Sequence, residues 1–368
     1  MVDQPQKIHF VFPQLVPFYG MERAAYYVLS ALRDQGVLVS ATVLSGGVPS
    51  EFEPFDVDLL DGGERLTRLI EIIPKLRSSL SRRAPDVVVG SGLWASVPLG
   101  VALIGLGPRF VHWEHSLLEP RLQLDPRLRL LANCLKLVPK SPELVVAVSN
   151  AVLEAARLMY SRVGEFEVIP NVVIEPNRRS TGEELRTLPP ETGVRLLTTG
   201  AFRQYKNYRT AVTAMLFLPQ RFTLTMVGDG PQREMLEALV AKYGLGDRVS
   251  FRGRVPNVRD FLLDADLLVH PSLAETFGFS LVEAAHYRVP VVNLPAPAMS
   301  ELVPVLVPGA TAAGFSPEQL AYAINIVASN PPSSEDFDTA RDRRSVKFSP
   351  DTVGRQWCNV LDRFAAVI

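Results

Sequence analysis

The stretch LLVHPSLAETFGFSLVEA, residues 267–284, decides the fold. The apolar run LLVHPS (267–272) gives way to a short loop carrying Glu275, and Gly278 opens a helical pattern that contains Glu283. A second apolar run, VPVVNLP (289–295), follows at once. Apolar runs of this length, bounded by turn residues and alternating with helical patterns, read as buried strands of a parallel sheet. Glu275 and the start of the helix therefore fall at the carboxyl end of a strand, the edge where open α/β sheets take their ligands.

Working outward, the same alternation fills the second half: VRLLTTG, NYRTAVTAMLFLP, FTLTMVGDG, QREMLEALVAKYGL, RVSFRG, VRDFLLDA and LLVHPS. The first half repeats it, from IHFVFP (8–13) and the helix pattern ERAAYYVLSALRDQG (22–36), through LVSATVLS (38–45), ERLTRLIEIIPKLRSSLSRR (64–83), PDVVVGSG (85–92) and RFVHWEH (109–115), to LVVAVS (144–149), NAVLEAARLMYSR (150–162) and EFEVIPN (165–171). Ala25, Val28, Leu29 and Leu32 share one helical face. Ser149 or Asn150 caps the helix after LVVAVS. The spacing predicts two doubly wound domains facing a central cleft: 1–174, a polar linker at 175–193, 194–345, and a C-terminal helical segment at 346–368 that either stays with the second domain or crosses back to the first.

The bulk numbers agree with a globular enzyme or binding protein. The chain has 368 residues, enough for two cores, with 47% hydrophobic and 21% charged residues. A net charge of −1 offers no general attraction to nucleic acid. Cys134 and Cys358 fit reduced, buried thiols of a cytoplasmic protein, and MVDQPQKIHFVF has too short an apolar run for a signal peptide. VPLGVALIGLG (97–107) is too short to span a bilayer and reads as a core helix.

Several loops carry chemistry. VGDGPQREML (227–236) leaves a strand through Gly228 and Gly230 and enters a helix, giving close backbone approach and an anion-binding helix start; a plain β–α turn reads the same way. The third glycine of a dinucleotide fingerprint is absent, since Arg233 stands there, which disfavours a dehydrogenase. GAFRQYKN (200–207) carries Arg203 and Lys206 at a strand end, as a phosphate site would, although exposed cations are usually just solvated. The amides near Phe279 and Ser280 start a helix, and Glu275 and Glu283 can each accept from a pair of neighbouring hydroxyls; the rival reading is two surface acids beside a helix dipole. DAD (264–266) precedes a strand and reads as a helix-to-strand turn rather than a metal site. The five histidines form no zinc spacing; His115, closing RFVHWEH, is the one placed to face a ligand, while His9 and His270 read as structural. No nucleophile signature appears.

In order, VAVS, VIPN, GAFRQYKN, VGDGPQREMLE, RVSFRGRV, ADLLVHPS, the Glu275–Glu283 pair and VPVV resemble the retaining glycosyltransferases of family 4, which have the GT-B fold; GMER (20–23) extends the resemblance weakly into the first half. The resemblance implies a nucleoside-diphosphate sugar as donor, UDP by preference, and no metal or other cofactor. It places Glu283 on the ribose, Glu275 by the transferred sugar with backbone around Phe277, Gly278, Phe279 and Ser280, and Lys206 on the diphosphate. Gly20 lies near the phosphates, His115 near the donor sugar, and Arg254 and Val255 where backbone meets the base. The acceptor is a small molecule, an oligosaccharide or a lipid. The basic, leucine-rich segment 109–140 reads as an ordinary amphipathic region or as a peripheral membrane contact.

The chain departs from the family pattern at Ala201, where an arginine is usual, with Arg203 two places on as a substitute. Tyr19 replaces a glycine before GMER, Arg288 replaces a helix-ending glycine, and LPAPAMSE (294–301) replaces a glycine-rich loop before Glu301. These departures leave two alternatives to a working transferase: a catalytically weak nucleotide-sugar-binding homologue, or a nucleotide-sugar epimerase or hydrolase on the same fold.

Overall fold

The computed structural model describes residues 6–15, 20–60, 66–117, 126–160, 164–176 and 193–365. Tyr19 and nearly all of the expected 175–193 linker lie outside them. The chain divides into two units, Met1–Val173 with Lys347–Ile368, and Ile174–Val346.

In the first unit seven parallel strands form one sheet: β1 (Lys7–Gln14), β2 (Leu38–Ser45), β3 (Asp56–Leu59), β4 (Val87–Ser91), β5 (Arg109–Glu114), β6 (Leu144–Ala147) and β7 (Glu165–Val168), in the order β3-β2-β1-β4-β5-β6-β7. The chain starts mid-sheet at β1, winds outward to β3, then returns beside β1 as β4 and winds the other way, so the strand order reverses between β1 and β4. Helices α1 (Gly20–Asp34), α2 (Leu66–Arg83), α3 (Leu93–Ala102), α4 (Pro126–Leu137) and α5 (Asn150–Met159) make the crossovers. The periodic face of α1 is fully buried at Ala25, Val28, Leu29 and Leu32. Of the two candidate caps for α5, Ser149 does the work: its hydroxyl accepts from Val152 N at 3.4 Å. The expected core helix at 97–107 begins earlier and ends at Ala102, with Gly105 turning the chain at φ 71°. His9 is indeed structural, with Nδ1 2.8 Å from Ser40 Oγ and Nε2 2.8 Å from Thr42 Oγ1.

The last helix, α13 (Pro350–Ala365), belongs to this unit. It packs on α1; Gln35 Nε2, just past that helix, donates to Asp351 Oδ1 at 3.1 Å, and Gln6 Nε2, just before β1, donates to the Leu361 carbonyl at 3.2 Å. Trp357 is fully buried and sets its edge against Phe10 and Trp113, with ring centroids 6.1 Å and 5.3 Å away.

The second unit is a six-stranded parallel sheet of β8 (Val194–Thr199), β9 (Phe222–Val227), β10 (Val249–Gly253), β11 (Leu267–His270), β12 (Val291–Asn293) and β13 (Gly309–Thr311), ordered β10-β9-β8-β11-β12-β13. Its helices are α6 (Tyr208–Ala214), α7 (Arg233–Lys242), α8 (Arg259–Asp264), α9 (Phe279–His286), α10 (Pro297–Leu306), α11 (Pro317–Ser329) and α12 (Ser334–Phe348). Asp264 ends α8 and Asp266 lies in the turn to β11, and both hold Arg195 at the start of β8, through contacts of 2.6 Å and 2.8 Å. Cys134 and Cys358 are free and half-buried rather than buried. Among the described residues no helix is long and apolar enough to cross a membrane.

Candidate functional site

Because every strand of the second sheet runs the same way, the loops after β8, β9, β10 and β11 all leave at its carboxyl edge, and the order reverses between β8 and β11. That reversal leaves a crevice, since the two flanking loops turn to opposite faces. The loop after β8 makes a short 3-10 turn, Gln204–Lys206, ended by Asn207 in the left-handed conformation at φ 53°. The loop after β11 runs from Pro271 to Gly278. A backbone bond joins them, Leu273 N to the Tyr205 carbonyl at 2.9 Å.

Across this join Lys206 Nζ donates to Glu275 Oε2. The lysine and carboxylate side chains are 18% and 14% exposed, so the pair is mostly out of water. His270, the last residue of β11, places Nε2 3.4 Å from the same Oε2, and its Nδ1 lies 3.3 Å from Ser280 Oγ on the first turn of α9. Glu275 Oε1 accepts from Thr276 N at 3.1 Å. Burial alone would raise the Glu275 pKa, but the ammonium of Lys206 and then the imidazole of His270 hold its carboxyl well below the usual carboxylate range. Burial works against the charge on Lys206 too, and Glu275 more than offsets it, so the ammonium is held above its ordinary value. Burial pushes His270 down, keeping the ring neutral at pH 7. Tyr208, buried beneath this loop, donates to the Thr199 carbonyl at 2.7 Å and has its phenol pushed up, first by burial.

Gly278 has φ 79° and precedes α9, whose first-turn amides follow at Phe279 and Ser280. Phe277 is buried and its ring lies 5.4 Å from that of half-buried Phe279. Glu283, half-buried, sits one turn on from Ser280 along α9. Gly228 follows β9 at φ 144°, and a Cβ there would stand 1.9 Å from the Gly200 carbonyl oxygen. Its need for glycine thus comes from the chain's own loop after β8. Arg254 is exposed and Val255 half-buried, just past the edge strand β10. Arg203 is exposed and its guanidinium meets no partner among the described residues.

Gly20 and His115 belong to the first unit. Gly20 is exposed at the start of α1. His115 follows β5, with its ring 4.1 Å from that of Trp113 and its Nε2 buried without a hydrogen-bond partner among the described residues. Burial lowers its pKa to about 4, so it is neutral at pH 7. The chain around it is held by Glu114, which accepts from Ser116 N at 3.0 Å and Ser116 Oγ at 2.9 Å through one oxygen. The other oxygen takes the Tyr160 hydroxyl at 3.0 Å and lies 3.0 Å from His112 Nε2.

Sequence reasoning singled out Lys206 and Glu275 but not their contact, and it read His270 as structural. Glu114, His112 and Tyr160 were missed. Their only signal was a carboxylate inside an otherwise apolar strand, at Glu114, which has to find partners once buried.

Comparison with known proteins identifies the family of the chain. The family model described as Glycosyltransferase Family 4 matches residues 18–174, and that described as Glycosyl transferases group 1 matches 184–344. The 2-deoxystreptamine glucosyltransferase of Streptomyces kanamyceticus is 33% identical over 178 residues, 45% of this chain and 46% of that protein. The N-acetyl-alpha-D-glucosaminyl L-malate synthase of Bacillus anthracis is 26% identical over 202 residues, 53% of this chain and 52% of that protein. These matches therefore span about half the length of the curated relatives. Among solved structures, Anabaena HepE in complex with UDP and glucose superposes with a TM-score of 0.79 at 21% identity, covering 97% of this chain and all of that one. The sucrose-phosphate synthase of Thermosynechococcus elongatus gives 0.80 at 21% identity, covering 99% of this chain. With a family model on either half, two parallel sheets, and structural neighbours that match nearly the whole chain, the chain belongs to the family 4 glycosyltransferases and has the GT-B fold.

Proposed function

We propose that the protein transfers a hexose-type sugar from a nucleoside-diphosphate sugar, UDP-linked by preference, to an acceptor hydroxyl, with retention at the anomeric carbon and without a metal. The observation that carries the reading is the Lys206–Glu275–His270 cluster at the β8–β11 reversal, beside the N-terminal amides of α9. The glucosyl and N-acetylglucosaminyl names of the relatives, and the UDP and glucose held by HepE, support the donor class.

Transfer breaks the bond from the anomeric carbon to the diphosphate, and negative charge grows on the departing oxygen. Lys206, Arg203 and the amides at Phe279 and Ser280 supply fixed positive partners for it. Glu275 accepts from sugar hydroxyls and Glu283 from the ribose. Same-face attack, with the leaving phosphate taking the acceptor proton, needs no enzymic nucleophile. Gly20 and His115 act from the first unit, His115 as a neutral ring able to meet a sugar hydroxyl. The acceptor is a small molecule, an oligosaccharide or a lipid. A second reading, a donor-binding homologue without turnover, is favoured by Ala201 and by the fact that Lys206 already has an anionic partner.

Thermal unfolding with UDP-, GDP-, ADP- and dTDP-sugars, on wild type and Glu283→Ala, tests donor binding. One nucleotide class at one hundred times its Kd should add about 2.7 kcal/mol, and the variant should lose the effect. Turnover with the binding donor and an acceptor panel, with and without EDTA, tests the rest. The product's anomeric configuration by NMR decides retention. Donor binding without nucleotide release in any acceptor mixture would establish the second reading instead.

A further inference from the structure

We propose that His270 is the positioning residue for Glu275, holding that carboxylate in place when Lys206 turns to the donor's diphosphate. This rests on the donor-site reading above. In the structure Lys206 and His270 address the same oxygen, Glu275 Oε2, the lysine closely and the imidazole from 3.4 Å. One ammonium cannot fully serve both a carboxylate and an arriving diphosphate. If it moves, Glu275 keeps only the Thr276 amide on Oε1, and a carboxylate just 14% exposed is left short of partners. A buried charge in that state is costly. His270 Nε2 is the group at hand: it is buried and has no other hydrogen-bond partner among the described residues.

The arrangement also selects the tautomer. A lone pair on Nε2 would face the lone pairs of Oε2, so the proton belongs on Nε2 and Nδ1 becomes an acceptor. The group beside Nδ1 is the Ser280 hydroxyl, 3.3 Å away, which then spends its hydrogen on the ring. Ser280 consequently presents its oxygen to a ligand as an acceptor only. His270 closes strand β11, between β8 and β12 in the sheet and 4% exposed, so its ring is anchored to a rigid element. Through it the two ends of the 271–280 segment, Glu275 and Ser280, are kept in one register.

Two measurements test this. Histidine-labelled protein, observed by 15N NMR at pH 7, should show His270 with the proton on Nε2, assigned by the signal lost in His270→Gln; a proton on Nδ1 overturns the proposal without any donor present. Calorimetry then compares the best-binding nucleotide sugar of the panel with its free nucleoside diphosphate on wild type, His270→Gln and His270→Asn. Gln carries an N–H near the Nε2 position, and Asn reaches only the Nδ1 position. Because either ligand draws Lys206 away through its diphosphate, both should bind wild type and His270→Gln alike and His270→Asn about tenfold more weakly, the effect of losing one hydrogen bond to a charged group. Equal loss in both variants, or no loss in either, overturns the positioning role while leaving the donor reading intact. Wild type that binds no member of the panel removes the donor reading and this proposal together.

Discussion

Glu275 is charged because Lys206 is beside it, and the sign of that coupling sets a pH window. The folded-state pKa of Glu275 lies below its unfolded value, so its contribution is fully present above the unfolded pKa and is lost as pH falls. Lys206 is shifted the other way, so its contribution is fully present below its unfolded pKa and lost as pH rises past the folded one. The pair therefore stabilises its unit between about pH 5 and pH 10. His270, with its pKa lowered by burial, adds an acid-side loss that begins near pH 6.5, where the unfolded ring takes up a proton. Glu275→Gln should be less stable than wild type at pH 7, and the gap should narrow as pH is lowered below about 4.5. Urea unfolding at a series of pH values checks this; a gap constant down to pH 3.5 would mean that the carboxylate is not held ionised by its neighbours.

At the scale of elements, two helices end on residues whose backbone suits glycine. Helix α2 is followed by Ala84 at φ 45°, whose N–H reaches the Leu80 carbonyl at 2.9 Å. Helix α9 is followed by Arg288 at φ 55°, with Arg288 N on the Ala285 carbonyl at 3.2 Å and Val289 N on that of Ala284 at 2.9 Å, the double bond of a Schellman ending. The glycine missing from the family pattern at 288 is thus missing from a position that does turn left-handed. Arg288 has a compensation that Ala84 lacks: its guanidinium donates to Asp338 Oδ1 at 2.7 Å and to the Ser334 carbonyl at 3.3 Å, tying α9 to α12. Ala84→Gly should therefore stabilise the first unit by about 0.5–1 kcal/mol. Arg288→Gly should leave the second unit within roughly 0.5 kcal/mol of wild type, because strain relief and the lost surface pair are of similar size. Urea midpoints of each unit's transition measure both, and a destabilising Ala84→Gly would contradict the left-handed ending.

At the scale of the whole chain, the strands that were legible were the continuous apolar runs, because a parallel sheet buries both faces of its inner strands. Strand β3 was not, since DVDL alternates charge with apolar residues at the sheet edge, where Asp56 and Asp58 pair with Arg83. Nor were β13, α11 and α12, which come after the last recognisable motif. The site was legible where a loop motif names its residues, and illegible where function depends on which buried groups meet, as with His270 and Glu275. The course of the C-terminal helix was open for a similar reason: amphipathic spacing shows that TVGRQWCNVLDRFAAV has a face to bury but not where. The structure buries it on α1, and sets Trp357 against Phe10 of β1 and Trp113 of β5. A residue eight positions before the last described one thereby completes the core of the unit in which the chain begins. Trp357→Ala should cost that unit about 3–5 kcal/mol, the usual penalty for emptying a buried tryptophan site. The second unit has its own core, so its stability should not move. Because two units need not unfold together, a single midpoint is the wrong measure. Limited proteolysis during a urea series, with the fragments identified by mass spectrometry, should show cleavage within 6–173 at lower urea than in wild type, while 194–346 resists unchanged. Equal weakening of both segments would show that the units fold as one cooperative body, and that the helix supports the whole chain instead of the first unit alone.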